Sequence, residues 1–103
     1  RAGWIADYPD PNTFLDMWVT DGPQNSTNWS NKEYDQLIAD SAREGAPAKR
    51  MKLLQRAEQI WVDEMPVIPI YFYTSINMVK PNVKGFFPSA QDLHPLNLLE
   101  YRK

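Results

Sequence analysis

An α+β fold, with a helical hairpin beside a few short strands, is what this sequence predicts, and three observations carry the expectation. Ser30-Asn31-Lys32-Glu33 has the spacing of a capping box ahead of an apolar-periodic run. A second run of helical period lies between Pro47 and Pro66, after a short loop at Gly45. Residues 67–73 are then dense in branched and aromatic side chains, the composition of a strand.

Taken in order, residues 1–8 suit an extended strand. Its period of two sets Trp4, Ala6 and Tyr8 on one face, and Gly3, Ile5 and Asp7 on the other. Phe14, Leu15, Met17, Trp18 and Val19 form an apolar cluster that fits a short helix after Pro11-Asn12-Thr13, with Asp21-Gly22-Pro23 as its stop. The next helix starts at the capping box, buries Tyr34, Leu37, Ile38 and Ala42, and ends near Gly45. Pro47 suits the first turn of the following helix, which runs to Met65 before Pro66 stops it. Its stripe is Met51, Leu54, Ala57, Trp61 and Met65, widened by Leu53, Ile60 and Val62. Residues 67–73 read as a strand held to an edge or bulge by Pro69, and residues 76–80 as a second short strand. From Pro81 onward the chain reads as loop with apolar knots. So few strands are marginal by themselves, and they are expected to complete a sheet supplied from elsewhere.

Composition removes several function classes. A chain of 103 residues with 43% hydrophobic content suits one small domain or a piece of a larger one, and argues against disorder. The balance of 11 basic and 13 acidic residues leaves no electrostatic footprint for nucleic acid. No apolar run approaches the ~18 residues of a membrane span. The lack of cysteine excludes a disulfide framework, a Cys-ligated metal and a thiol nucleophile. His94, the sole histidine, would have to carry any Ser-His-Asp triad from a Pro-flanked loop. Asp7 and Asp10 are too local for paired-carboxylate hydrolysis. Neither a phosphate loop nor a metal set is present in the sequence, so no catalysis and no cofactor are expected. Asn25-Ser26-Thr27 and Asn28-Trp29-Ser30 are sequons that matter only in a glycosylating compartment. Trp18, Trp29 and Trp61 are assigned to packing. Without an initiating methionine or a signal-peptide pattern, the chain reads as a piece of a longer one.

The pattern Arg1-x-Gly3-Trp4-x-x-Asp7-Tyr8-x-Asp10-Pro11-x-x-Phe14 resembles the C-terminal part of the extracytoplasmic oligopeptide-binding proteins of bacterial ABC importers, the peptide and nickel class of solute-binding proteins. The likeness continues through Asn31-x-x-Tyr34-Asp35-x-Leu37-Ile38, Arg50 with Leu54 and Ala57-Glu58, and Pro66-Val67-Ile68-Pro69-Ile70-Tyr71, and so covers nearly the whole chain. Each motif alone is weak; their order and register give the resemblance its strength.

The resemblance implies a C-terminal fragment of a two-lobed periplasmic-binding-protein-like fold that closes over a peptide. Residues 1–74 would end the distal, peptide-clamping lobe, and residues 75–103 would return through the hinge to complete the first lobe. The stretch matching Gly3, Trp4 and Ile5 would lie beside the peptide, pairing by strand addition, with Gly3 permitting close approach. Asp7 would take the peptide α-ammonium, a contact whose truncation costs roughly 3–5 kcal/mol when buried. Arg1 would take a C-terminal carboxylate, and Tyr73 would lend its hydroxyl to the rim. Each residue has a plainer reading beside it: Asp7 as a turn residue before Tyr8-Pro9, Arg1 as a solvated chain end, Trp4 as core and Tyr73 as a hydrophobic strand position.

The partners implied are an oligopeptide ligand and ABC permease subunits in the membrane. The location implied is the periplasm, or the cell surface through a lipid anchor. An unpaired sheet edge in the fragment is expected to invite self-association. The same fold could instead serve dipeptides, nickel chelates or signalling peptides. A different class, a carbohydrate-binding or hydrolytic module using Trp4, Tyr8 and nearby acids, is the remaining alternative.

Overall fold

Helix formation starts at Asp10. In the computed structural model, which describes residues 3–102, the Asp10 Oδ1 accepts the Asn12 amide at 2.9 Å and its carbonyl accepts the Thr13 amide at 3.2 Å. These are amides that a helix start leaves without an intrahelical partner. The first helix, α1, is Asn12–Leu15, and it tightens into a 3₁₀ turn at Asp16–Trp18. The expected stop at Gly22 comes later than the observed end, because Val19 is already extended.

The loop that follows is organised by one side chain. Asn25 Nδ2 donates to the carbonyls of Trp18, Val19 and Trp29 at 3.2, 3.1 and 2.9 Å, while its Oδ1 accepts from the Thr27 hydroxyl at 2.8 Å. The amide nitrogen of the first sequon is therefore engaged in the loop's own structure.

The second helix, α2, is Lys32–Arg43, and its cap is Asn31 rather than the expected Ser30. Asn31 Oδ1 accepts the Tyr34 amide at 3.0 Å. Glu33 does not reach back as a capping box requires, because its Oε1 accepts from Arg56 Nε and Nη2 at 3.0 and 2.9 Å. The buried face is Tyr34, Ile38 and Ser41. Ser41, not Ala42, turns inward, and its hydroxyl is satisfied by donating to the Ile38 carbonyl at 2.8 Å.

The third helix, α3, is Pro47–Glu64, with proline in its first turn as expected. Met65, at φ 45°, closes it in the left-handed conformation. Its buried residues are Leu54, Ala57 and Ile60. The stripe expected from Met51 to Met65 is thus shorter at both ends, where Met51 is 40% and Met65 54% exposed.

The core gathers Leu15, Met17, Trp18, Tyr34, Ile38, Leu54, Ala57 and Ile60, with Trp29, Trp61 and Val67 packed against it. Trp18 meets Trp61 at a centroid distance of 5.3 Å, and Trp29 meets Tyr34 edge-on at 4.9 Å. Tyr34 is fully buried, and its hydroxyl donates to the Leu15 carbonyl at 2.5 Å, joining the end of α1 to α2. Glu64 ties the end of α3 to the start of α2, accepting from the Trp29 indole N–H at 2.7 Å and from the Asn31 side-chain Nδ2 at 2.6 Å. The three tryptophans assigned to packing do pack.

These elements make up a helical unit, Asp10–Pro69; the described residues up to Pro9 and from Ile70 onward form a second unit. In the second, β1 (Val83–Lys84) pairs antiparallel with β2 (Glu100–Tyr101), placing Val83 opposite Tyr101 and Lys84 opposite Glu100. A 3₁₀ turn at Leu96–Leu98 precedes β2. Gly85, at φ +82°, lets the Leu98 carbonyl come so near that a Cβ there would sit 1.9 Å from its oxygen.

The class is α+β, a helical hairpin with short strands, but the strands are not where the sequence places them. Residues 3–8, 67–73 and 76–80 carry no strand, and the pair that forms lies in the stretch read as loop. The physical reason is that a strand exists only with a neighbour. The branched and aromatic segment has no ladder partner among the described residues, and Ile70, Phe72 and Met78 stand 86%, 99% and 97% exposed. The division expected at 74/75 falls inside the second unit.

Candidate functional site

The expected peptide contacts that are described all belong to the second unit. Gly3, Trp4, Ile5 and Asp7 lie on residues without regular secondary structure, and Tyr73 on the exposed segment after Pro69. Arg1 lies outside the described residues. Ala6 is buried, but Trp4 and Tyr8, expected on the same face, are exposed like Gly3, Ile5 and Asp7, so the expected alternation of inward and outward residues does not appear: without a ladder no face is set against a core. Space around Gly3 is open, with nothing within 4 Å of the position a Cβ would take. Gln91 Nε2 donates to the Asp7 carbonyl, tying the Asp7 backbone to the segment before His94 while the side chain stays exposed. An exposed backbone that joins no ladder among the described residues, with the exposed Asp7 carboxylate close along the chain, is an arrangement suited to strand addition and to gripping a cation.

A groove of about 280 Å³ opens on the helical unit, lined by Phe14, Leu15, Met51, Leu54 and Glu58 among others; none of the expected peptide contacts lines it.

His94 sits in a cluster that resembles a triad in composition but not in connection. Ser75 Oγ donates to Asp92 Oδ1 at 2.9 Å, and His94 Nε2 lies 3.0 Å from the same oxygen. The Ser75 hydroxyl and the His94 ring together hold the Asp92 carboxyl below the usual carboxylate range. The carboxylate lies between serine and imidazole, so the imidazole is not the group that touches the serine hydroxyl, and the serine–histidine relay of a triad is not formed. Phe86 stacks on the His94 ring at 4.4 Å, which gives the cluster a packing role. Among the described residues, no group of three or more His, Cys, Asp or Glu could hold a metal, and no helix is long and apolar enough to cross a membrane.

Within the helical unit, Asp10 and Arg50 form a two-pronged ion pair. Arg50, in the first turns of α3, donates Nη1 to Asp10 Oδ2 at 2.7 Å and Nη2 to Oδ1 at 2.9 Å. The Arg50 hydrogen bonds hold the Asp10 carboxyl below its ordinary value against the opposing effect of desolvation. Asp10 and Arg50 both stand in the sequence motifs, but nothing in the spacing of residues so far apart signals that they meet.

Comparison with known proteins places this geometry. No family model matches the chain. It is 34% identical over 99% of its length to "Dipeptide-binding protein DppE" of Bacillus subtilis strain 168, and 44% identical over 82% of its length to "Oligopeptide-binding protein OppA" of the same organism. A solved structure of a periplasmic murein tripeptide-binding protein, MppA, in its unliganded open form, superposes with a TM-score of 0.82 at 29% identity over 98% of this chain. The chain belongs to the bacterial peptide-binding protein family. It spans 18% and 16% of the two Bacillus relatives and 20% of the MppA chain. The relatives named here are binding proteins rather than enzymes.

Proposed function

We propose that the chain is the C-terminal, ligand-contacting part of the binding protein of a bacterial ABC peptide importer, which closes over extended peptides outside the cytoplasm and delivers them to the permease. The observation that carries this reading is the likeness along almost the whole chain to a dipeptide-binding protein, together with the close superposition on MppA. In the full-length protein, residues 1–74 end the distal lobe and residues 75–103 complete the first, with a lipid anchor or the periplasm keeping the protein at the cell surface. The exposed apolar segment following Pro69 then becomes an interior strand of the longer protein. In the isolated chain it supports self-association.

Asp7 accepts the peptide α-ammonium, and the backbone of residues 3–5 pairs with the peptide. Trp4 flanks the channel, while Arg1 and Tyr73 meet the far end and the rim. Main-chain recognition leaves peptide side chains uncommitted, which suits relatives whose names range from dipeptide to oligopeptide.

Calorimetric titration of the full-length protein with a mixed pool of di- to pentapeptides tests the reading, once with free amino termini and once N-acetylated. Binding of the free pool, with at least a tenfold loss on acetylation or in Asp7→Ala, is expected. Equal binding of both pools removes the role of Asp7, and binding of neither overturns the peptide reading.

A further inference from the structure

Two stretches far apart in the sequence, the one that carries Asp7 and the one that reaches Ser75, meet the same small turn of the second unit. Ser89 to Asp92 closes on itself: the Asp92 amide donates to the Ser89 carbonyl at 3.1 Å, and Ser89 Oγ accepts the Leu93 amide at 2.9 Å. Asp92, at φ 53°, takes the left-handed conformation that aspartate tolerates better than most residues. Its carboxylate is fastened from two sides, Oδ1 accepting the Ser75 hydroxyl at 2.9 Å and lying 3.0 Å from His94 Nε2, while Phe86 stacks on the His94 ring at 4.4 Å. Gln91 stands half-buried at the tip of this turn, and its Nε2 donates to the Asp7 carbonyl. All of these residues belong to one unit, so every contact is internal to it.

We infer that Gln91 is a positioning residue for Asp7: from a turn anchored by Ser75 and His94 it holds the Asp7 main chain, and so sets where the ammonium-binding carboxylate stands. The inference rests on the peptide-binding reading above. Residues 3–8 join no ladder among the described residues, so no regular row of hydrogen bonds fixes their backbone, and a side chain from elsewhere has to do it. The Asp7 carbonyl carbon and Cβ share one Cα, so restraining the carbonyl also restrains the direction in which the carboxylate leaves the chain. The amide of Gln91 suits this task because it is neutral. It orients the chain without competing with an ammonium for the carboxylate, as a lysine or arginine at this place would. The same turn holds Ser75, two residues after Tyr73, so the expected contacts at Asp7 and Tyr73 are referred to a common anchor.

The test compares a ratio of affinities in the full-length protein. Calorimetry measures the preference for a free-amine tripeptide over its N-acetylated form in wild type, in Gln91→Met, which keeps the side-chain length without the donor, and in Ser75→Ala, which loosens the anchor of the turn, with melting temperatures alongside. Gln91→Met is expected to lower the preference by about fivefold, which is what one neutral hydrogen bond contributes, and Ser75→Ala to lower it by less. If Gln91→Met keeps the wild-type preference, or weakens both peptides by the same factor, the contact serves folding alone and the inference falls while the peptide reading stands. Should Gln91→Met fail to fold, Ser75→Ala decides: an unchanged preference overturns the positioning role. A wild type without any preference for the free amine removes the Asp7 assignment, and this inference with it.

Discussion

Replacing Tyr34 by Phe should give a variant whose stability deficit reverses with pH. Tyr34 is fully buried, and its hydroxyl donates to the Leu15 carbonyl at 2.5 Å. Phe keeps the ring and its edge contact with Trp29 but leaves that carbonyl without its donor, at a cost of about 1–3 kcal/mol at neutral pH. Burial, followed by the charges of Asp16 and Asp35, raises the Tyr34 hydroxyl pKa well above its ordinary value. The folded state therefore holds its proton more tightly than the unfolded chain, where tyrosine titrates near ~10. The wild-type advantage is intact below that pH. Above it the unfolded state sheds the proton first, and the wild type loses about 1.4 kcal/mol per pH unit that Tyr34→Phe does not lose. The two stabilities should cross at about pH 11–12. Urea unfolding followed by tryptophan fluorescence between pH 7 and 12 measures this directly, because Trp18, Trp29 and Trp61 all report on the same core. A gap that stays constant across the whole range would refute the assignment of a buried, proton-retaining hydroxyl. Equal stability at pH 7 would refute the hydrogen bond.

Gly85→Ala should open the β1–β2 pair, since a Cβ 1.9 Å from the Leu98 oxygen cannot coexist with it and φ +82° adds about 1–2 kcal/mol of its own. Amide exchange should then lose protection at Arg102, whose N–H donates to the Asn82 carbonyl at 2.9 Å, while α3 amides keep theirs; retained protection at Arg102 would count against the close approach. On acidification, Asp10 should contribute stability that is present above the ordinary aspartate value of ~3.9 and is lost as pH falls through its depressed folded value. Melting temperatures measured from pH 6 to 2.5 should fall more steeply in wild type than in Asp10→Asn, and parallel curves would contradict the pairing with Arg50.

The helices were legible because their signals are local. Pro47, Pro66 and the spacing of Leu54 and Ala57 are enough to place α3. The cap of α2 was misplaced by one residue because Ser30 and Asn31 are both good caps, and the choice depends on Glu33 being drawn away by Arg56, a partner on another helix. Strands depend on partners, so the strong composition of residues 67–73 produced none, and Val83 and Tyr101, in a stretch with little strand signal, found each other. The candidate site segment is singled out only through resemblance. Nothing in the composition of residues 3–7 distinguishes a peptide contact from a turn, and the clamp on Asp10 appears only when Arg50 is brought to it through the hairpin.

The division of contacts also sets an order of events during synthesis. Asp10–Pro69 is one continuous stretch whose helices pack against sequence neighbours, so it can form as soon as Pro69 has left the ribosome. The other unit joins residues up to Pro9 with residues from Ile70 onward, so the earlier of these must wait for the later. Ile70, Phe72 and Met78 emerge in that interval and stay uncovered by the described residues even afterwards, so this segment is where a nascent chain would most need a chaperone.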